Sequence, residues 1–124
     1  IFSKQCQKIR RKYLVNDKNF FSPYMMLAYN TTDTAQNEIS AAIHPRDKTA
    51  RAQLVTRHTN PEYYSIIQNF KKLTGISAVL NTSFNLHGFP LVYNPIDALN
   101  VFNKSGLEFL AINDYLISKN NIEQ

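Results

Sequence analysis

The side chains in this sequence with the clearest chemical potential stand together between positions 78 and 90. They are amides, hydroxyls and a turn former: Asn81, Thr82, Ser83, Asn85 and Gly88. Hydroxyl and amide groups can hydrogen-bond a small anion, and these residue types favour turns through local side-chain hydrogen bonds or a free φ angle. The same residues would also suit an ordinary turn that leads from a strand into a loop.

The element that must position these residues is the apolar run immediately before them. Residues 76–80 are β-prone and follow the break at Thr74-Gly75. A short strand with apolar residues on both faces is usually buried, and open α/β sheets bind ligands at the carboxyl ends of their strands. We therefore predict a buried strand over residues 76–80 that ends in a polar turn, with anion binding and an ordinary strand-to-loop connection as the two alternatives.

Arg51 is the cationic candidate for such a site. It follows the small residue Ala50 and precedes the alternating segment 52–55, which predicts a strand. An arginine at the entrance of a strand could reach inward, although most arginines lie on the surface. A guanidinium combined with hydroxyls and amides suits the clamping of a carboxylate, carbamate or phosphate.

The residue pattern gives little support to other catalytic arrangements. The three histidines lack the spacing of a zinc site, so no metal ligands are predicted. With three glycines, the chain has neither a P-loop nor a dinucleotide fingerprint. A triad could be drawn from Ser83, His87 and Asp114, but the serine lacks the Gly-x-Ser-x-Gly elbow of a hydrolase.

Length, charge and cysteine content describe one domain in a reducing compartment. The 124 residues suit a single domain, and a lone cysteine, Cys6, excludes an internal disulfide framework. Five of the 14 basic residues lie within the first 12 positions, so the net charge of +5 reflects a basic N-terminal arm. Nucleic-acid binding through this arm is disfavoured, because the arm has few of the aromatic side chains that RNA-binding folds expose.

The sequence has no apolar run of the roughly 20 residues that a membrane span requires, and no signal-peptide pattern at its start. We therefore predict a cytoplasmic protein with no membrane partner. Because the chain begins at Ile1 without a methionine, we also expect it to be a fragment or a processed piece.

Helix signals are strongest at two Asn-Pro pairs. Each pair supplies an N-cap asparagine, a proline at the first helical position and an acid in the first turn. Apolar residues then recur at helical spacing. We predict helices that begin after Asn60 and Asn94 and stop at Gly75 and Gly106.

The remaining chain predicts short strands and connecting loops. Besides 76–80 and 52–55, strands are predicted over residues 24–29, 91–93, 107–112 and 115–117. Residues 1–15 read as a peripheral basic helix and residues 30–37 as a loop. Strands that alternate with helices predict an α/β or α+β fold, with parallel pairing where a helix joins neighbouring strands.

Several motifs, taken in order, resemble the C-terminal region of the NodU-type O-carbamoyltransferases. The motifs are Ser22-Pro23-Tyr24-Met25, Thr49 to Val55, Asn60-Pro61, Asn81 to Asn85 with Gly88 and Pro90, and Pro95 to Leu99. Their order and spacing agree with that family over residues 20–118.

This resemblance implies a YrdC-like domain with a twisted mixed sheet and flanking helices over residues 20–118. A basic arm over 1–19 would precede it, and a tail over 119–124 would follow. The turn also resembles the Ser-x-Asn-x-x-Gly-x-Pro turn of the threonylcarbamoyl-AMP synthases, in the residues Ser83, Asn85, Gly88 and Pro90.

The resemblance further implies that ATP and carbamoyl phosphate bind here and form carbamoyl adenylate, which a preceding actin-like domain uses to modify an acceptor hydroxyl. Arg51 would hold the phosphate or carbamoyl group, and Ser83 would hydrogen-bond the carbamoyl oxygen or a phosphate. The implied substrate-binding residues around them are Asn81, Thr82, Asn85 and Gly88. Mg²⁺ would accompany ATP, and no tightly bound cofactor is expected.

The sequence departs from the family pattern in two ways. Phe89 stands where relatives often carry glutamate. The Gly-Pro-Arg-Ala-Leu-Gly-type segment, a basic motif and the actin-like domain that precede this region are absent from the sequence. We therefore expect an incomplete ATP site and little activity in the isolated chain. The alternative is a non-catalytic binding or docking module of the same fold.

Overall fold

The computed structural model describes residues 4–15 and 22–119, with side chains from residue 9 onward in the first range. The chain divides into two compact units, residues 1–80 and residues 81–124. The predicted domain boundaries after residues 19 and 118 stay predictions. Most of the predicted tail, residues 120–124, lies outside the described residues, as do residues 16–19 of the predicted arm.

Within the described residues, the first unit contains helices and one small sheet. Its elements are α1 (Lys4–Tyr13), β1 (Ala28–Asn30), α2 (Asp33–Glu38), a 3₁₀ helix (Ser40–Ala42), β2 (Thr49–Arg51) and α3 (Pro61–Thr74). The second unit contains α4 (Pro95–Lys104), β3 (Phe109–Ile112) and β4 (Tyr115–Ser118). The predicted mixture of α and β structure is therefore confirmed.

Both sheets are two-stranded and antiparallel within the described residues. β1 pairs with β2, and β3 pairs with β4 through a two-residue turn whose Asn113 has φ 50°. Asparagine tolerates this left-handed conformation better than most residues. The predicted terminal strands are confirmed, whereas the expected parallel pairing is wrong: each pair here joins two short strands that run in opposite directions.

Helices α3 and α4 confirm the two Asn-Pro predictions. The side-chain oxygen of Asn60 accepts a hydrogen bond from the Tyr63 backbone N–H at 3.0 Å, and Gly75 ends α3 in the left-handed conformation with φ 79°. The end predicted for α4 is shifted: Ser105, not Gly106, is the C-cap. The Ser105 N–H closes the helix on carbonyls of its last turn, so no glycine is required there.

Two predicted strands in the first unit are wrong in extent. Of residues 24–29, only positions 28 and 29 join β1, and Tyr24 and Met26 are exposed. β2 occupies Thr49–Arg51 rather than 52–55, so Arg51 lies at the end of a strand and not at its entrance. An apolar run becomes a strand only where the backbone of another segment pairs with it. β1 is paired in this way with the three residues of β2.

Three other local predictions are also corrected. Residues 76–80 and 91–93 form no strand within the described structure. Residues predicted as a loop contain α2, where Thr32 accepts a hydrogen bond from the Ala35 N–H and so acts as the N-cap. The threonine followed by Asp33 was the signal for this short helix, because both stabilise a helix N-terminus.

The core of the first unit contradicts the expectation that the N-terminal helix is peripheral. Tyr13 and Leu14 at the end of α1 are buried together with Tyr29 and Ala35. The Tyr13 hydroxyl accepts a hydrogen bond from the Ser77 N–H and donates one to Glu38. The end of α1 is therefore an internal part of this unit, and it fixes residue 77 without any strand pairing.

The second unit has its own small core. Ala98 and Phe102 of α4 are buried against Leu110 of β3, and Phe102 is fully inaccessible to solvent. Half-buried apolar residues pack around this cluster: Phe84, Val92, Ile112 and Ile117. Phe84 belongs to the predicted anion-binding segment, so the core of this unit anchors that segment directly.

Candidate anion site

The second half of the predicted segment 81–90 is a turn, and an asparagine side chain holds its backbone through hydrogen bonds. The Phe89 N–H donates to the Leu86 carbonyl at 3.0 Å, and Gly88 has φ 82° at the turn position that requires a positive φ. The Asn85 Nδ2 donates to the carbonyls of Phe89 at 2.7 Å and Leu86 at 3.2 Å. Asn85 and Gly88 therefore shape the turn.

The polar residues before this turn face solvent. Asn81, Thr82 and Ser83 are exposed, and the next residue, Phe84, packs against the core of the second unit. The Phe84 carbonyl also accepts a hydrogen bond from the Val92 N–H at 3.1 Å. The hydroxyls of residues 82 and 83 are thus accessible to solvent. The residue after them, Phe84, is fixed both by its side-chain packing and by its backbone hydrogen bond.

Arg51 is an exposed residue at the end of β2, in register with Ala28 of β1. The chain beyond it is tied back to an earlier segment by two side chains. Ser22 Oγ donates to the Ala52 carbonyl at 2.6 Å, and Gln53 Nε2 donates to the Pro23 carbonyl at 2.7 Å. Both backbone flanks of Arg51 are therefore held while its own side chain remains accessible.

A histidine–aspartate pair precedes β2 and was not identified as functional from the sequence. His44 Nδ1 lies 3.1 Å from Asp47 Oδ1. The same oxygen accepts hydrogen bonds from the Thr49 N–H and hydroxyl at 3.0 and 2.8 Å. These Thr49 hydrogen bonds, with a smaller contribution from His44, lower the pKa of the Asp47 carboxyl. The spacing His-x-x-Asp-x-Thr-x-Arg was the available signal.

The predicted site residues are distributed over both units. Asn81, Thr82, Ser83, Asn85 and Gly88 fall in one continuous segment of the second unit, whereas Arg51 belongs to the first. Across residues 4–15 and 22–119, no group of three or more His, Cys, Asp or Glu side chains is placed to hold a metal ion. No helix in that part of the chain is long and apolar enough to cross a membrane.

The sequence matches a family model described as the carbamoyltransferase C-terminus over residues 2–119. Because this match includes almost the whole chain, the protein belongs to the carbamoyltransferase C-terminus family. The resemblance to the C-terminal region of the NodU-type proteins is thereby confirmed.

Individual relatives agree with this assignment. An uncharacterized protein of Methanocaldococcus jannaschii is 42% identical over 107 residues, which are 86% of this chain and 20% of the relative. Nodulation protein NolO of Bradyrhizobium diazoefficiens is 37% identical over 78% of this chain and 18% of its own length. Nodulation protein U of Sinorhizobium fredii is 35% identical over 53% of this chain and 12% of its own. The chain thus spans at most about a fifth of these relatives.

Proposed function

We propose that this chain is the C-terminal part of an O-carbamoyltransferase, which binds carbamoyl phosphate and ATP and forms carbamoyl adenylate. The observation that carries the proposal is the family match over residues 2–119. The proposed acceptor is a hydroxyl group on a second substrate. Transfer to it is assigned to an actin-like domain of a longer protein, in line with the greater length of the relatives.

Arg51 and Ser83 are the proposed catalytic residues. An exposed guanidinium suits the phosphate or carbamoyl group, because it offers several donors in a planar arrangement and keeps its charge. The Ser83 hydroxyl would hydrogen-bond a carbamoyl or phosphate oxygen. Acyl-adenylate formation depends mainly on positioning two anions and stabilising charge, so a fixed turn and one cation meet much of its requirement.

The other predicted site residues of this segment would form the substrate-binding surface. The exposed side chains of Asn81 and Thr82 can contact the ligand. Asn85 and Gly88 would fix the conformation of the backbone that follows them. We propose Mg²⁺ as a companion of ATP, coordinated largely by phosphate oxygens and water, and no tightly bound cofactor. The proposed location of this ATP-dependent reaction is the cytoplasm.

Helix α3 supplies a reason to place the rest of a longer protein beside this chain. Its apolar residues Ile66, Phe70 and Leu73 recur at helical spacing, yet no residue of the 14-residue helix is buried. Amphipathic helices normally bury such a face. We propose that the actin-like part of the protein covers it, which accords with relatives about four times as long as this chain.

Calorimetric titration of carbamoyl phosphate and ATP into the full-length natural protein tests the site. Arg51→Ala and Ser83→Ala should each weaken binding of carbamoyl phosphate by about 10- to 100-fold, the equivalent of one hydrogen bond to a charged group. Water must cleave carbamoyl phosphate to carbamate and inorganic phosphate, and an oxygen of the carbamate then displaces pyrophosphate from the α-phosphorus of ATP to give carbamoyl adenylate. Release of inorganic phosphate together with pyrophosphate therefore reports its formation.

Arg57→Ala and Ser65→Ala are matched controls, since both side chains are exposed and lie outside the proposed site. They should leave affinity and pyrophosphate release unchanged. Unchanged affinity in both site variants would refute the site assignment. Binding without pyrophosphate release in the full-length protein would favour the non-catalytic module.

A further inference from the structure

The segment between the 3₁₀ helix and β2 contains a side-chain network that the proposed function leaves unused. His44 and Asp47 are joined at 3.1 Å, and each side chain is 58% exposed. Their backbone is fixed as well: the His44 N–H donates to the Thr49 carbonyl at 2.8 Å, and the Lys48 N–H donates to the His44 carbonyl at 3.0 Å. An accessible imidazole is therefore held by an ordered loop.

The strand pairing places this network beside Arg51. Side chains alternate between the two faces of a strand, and buried Tyr29 is the register partner of Ala50. Thr49 and Arg51 therefore share the opposite face of β2. Their Cα atoms lie about 6.6 Å apart in an extended strand. The Thr49 hydroxyl is hydrogen-bonded to Asp47. The His44–Asp47 pair therefore lies next to Thr49, on the same face of β2 as Arg51.

The hydrogen bonds also determine which imidazole nitrogen is available. A carboxylate accepts hydrogen bonds only, so the Asp47 oxygen favours the tautomer in which His44 Nδ1 carries a proton. Among the described residues, Nε2 has no hydrogen-bond partner. When the imidazole is protonated, both ring nitrogens carry hydrogen and Nε2–H is a charged donor.

The surrounding charges favour an anion as the ligand. Between Glu38 and Glu62, Asp47 is the single acid, and four basic residues accompany it: Arg46, Lys48, Arg51 and Arg57. The one acid is occupied by Thr49 and His44. An anion at the Arg51 side chain would therefore meet a positive local field.

We propose that His44, oriented by Asp47, is a second binding group for the phosphate held by Arg51, to which its protonated Nε2 donates a hydrogen bond. This inference rests on the proposed function and extends its binding site by one residue. Because an imidazole must be protonated to donate from both nitrogens, binding of the anion is accompanied by uptake of a proton.

Titration of sulfate and inorganic phosphate into the full-length natural protein tests the proposal. Sulfate carries two negative charges throughout the neutral range, so any proton taken up on sulfate binding must go to the protein. Calorimetry at neutral pH in buffers of different ionisation enthalpy gives the number of protons. Wild-type protein should take up a fraction of a proton for each sulfate bound. Parallel titrations with carbamoyl phosphate and ATP identify which substrate carries the recognised phosphate.

Two variants at position 44 separate binding from loop structure. In His44→Asn, the amide nitrogen can replace Nδ1 against Asp47 but nothing replaces Nε2, so sulfate affinity should fall about tenfold and proton uptake should vanish. In His44→Gln, the amide can act as a neutral donor, so affinity should fall less while uptake again vanishes. Asp47→Asn can still accept the Thr49 hydrogen bonds and should reduce the uptake. His58→Gln, at another exposed histidine, is the control.

Unaltered affinity and proton uptake in both His44 variants would overturn the inference. If Arg51→Ala abolishes sulfate binding while the His44 variants bind normally, the proposed function stands and His44 is not part of the site. If neither Arg51 nor His44 matters, the proposed anion site itself fails. A loss of affinity in His44→Asn with wild-type proton uptake would mean that His44 maintains the structure of the loop and does not bind the anion.

Discussion

Helices α3 and α4 begin with the same local sequence and have different surroundings. In both, an asparagine side chain accepts the N–H three residues later, proline follows, and an acid lies in the first turn. Helix α4 buries Ala98 and Phe102, whereas α3 has no buried residue and leaves Leu73 87% exposed. Local capping therefore decides where a helix begins, and burial of its apolar face depends on what is packed beside it.

This contrast bears on the proposed function, because α4 supports the segment of the proposed site and α3 carries the apolar face that we propose another part of a longer protein covers. Phe84, which follows the exposed hydroxyls of the turn, packs against the core that Phe102 fills. The apolar face of α3 has no such partner among the described residues of its unit. The first three of the following predictions test this contrast in the full-length natural protein, and the fourth concerns a contact outside both helices.

Replacement of Phe102 by alanine should have the largest effect. A phenylalanine that is completely buried leaves a cavity when it is truncated, and the expected cost is about 3 to 5 kcal/mol. Hydrogen exchange of the α4 amides should report this loss. The control is Tyr93→Ala, because Tyr93 is almost fully exposed. Equal protection in the two variants would contradict the assignment of Phe102 to the core.

Leu73→Ser should cost about 1.5 to 3 kcal/mol if another part of the protein covers α3, since a buried leucine side chain contributes that much. Lys72→Ser changes the neighbouring exposed position and should have little effect. Amide exchange of α3 in both variants provides the measurement. If Leu73→Ser stays within about 0.5 kcal/mol of the wild type, as surface substitutions do, α3 has no such partner.

The two caps should be nearly equivalent. Asn60→Ala and Asn94→Ala each remove one hydrogen bond of the same geometry, at 3.0 and 2.9 Å, and each should cost about 1 kcal/mol. Exchange rates of the first-turn amides measure both costs. Asp and Ser at either position should restore most of the loss, because they cap in the same way. A cost confined to α4 would mean that burial, rather than capping, determines where these helices start.

The smallest effect is expected at the half-buried contact between α1 and α2. Lys12 foremost, and then the Tyr13 hydroxyl, lower the pKa of Glu38 by hydrogen bonding to its carboxylate. The folded state therefore binds fewer protons, so this contribution is present above the ordinary pKa of glutamate, about 4.3, and is lost as the pH falls through the lowered value. Glu38→Gln should lower the melting temperature at neutral pH, and the difference from the wild type should shrink as the pH falls below the ordinary pKa. A constant difference would exclude this origin.

The candidate site was predictable where its residues are neighbours in sequence. The turn that ends the segment from Asn81 to Gly88 depends on an asparagine amide and a glycine with positive φ, which lie within a few residues of each other. The His44–Asp47 pair was not identified, because nothing in the sequence alone shows that the carboxylate contacts both the imidazole and Thr49.

The sequence by itself determined the family, the two capped helices and the two terminal strands, because these depend on ordered motifs and on contacts between residues close in the chain. Only the tertiary structure decided that residues 76–80 form no strand, that the Ser77 N–H is bonded to the Tyr13 hydroxyl, and that β2 ends at Arg51. Strand pairing and burial require a distant segment, so short-range patterns leave them undetermined. Helix caps are satisfied within one turn, and for that reason the sequence predicts them.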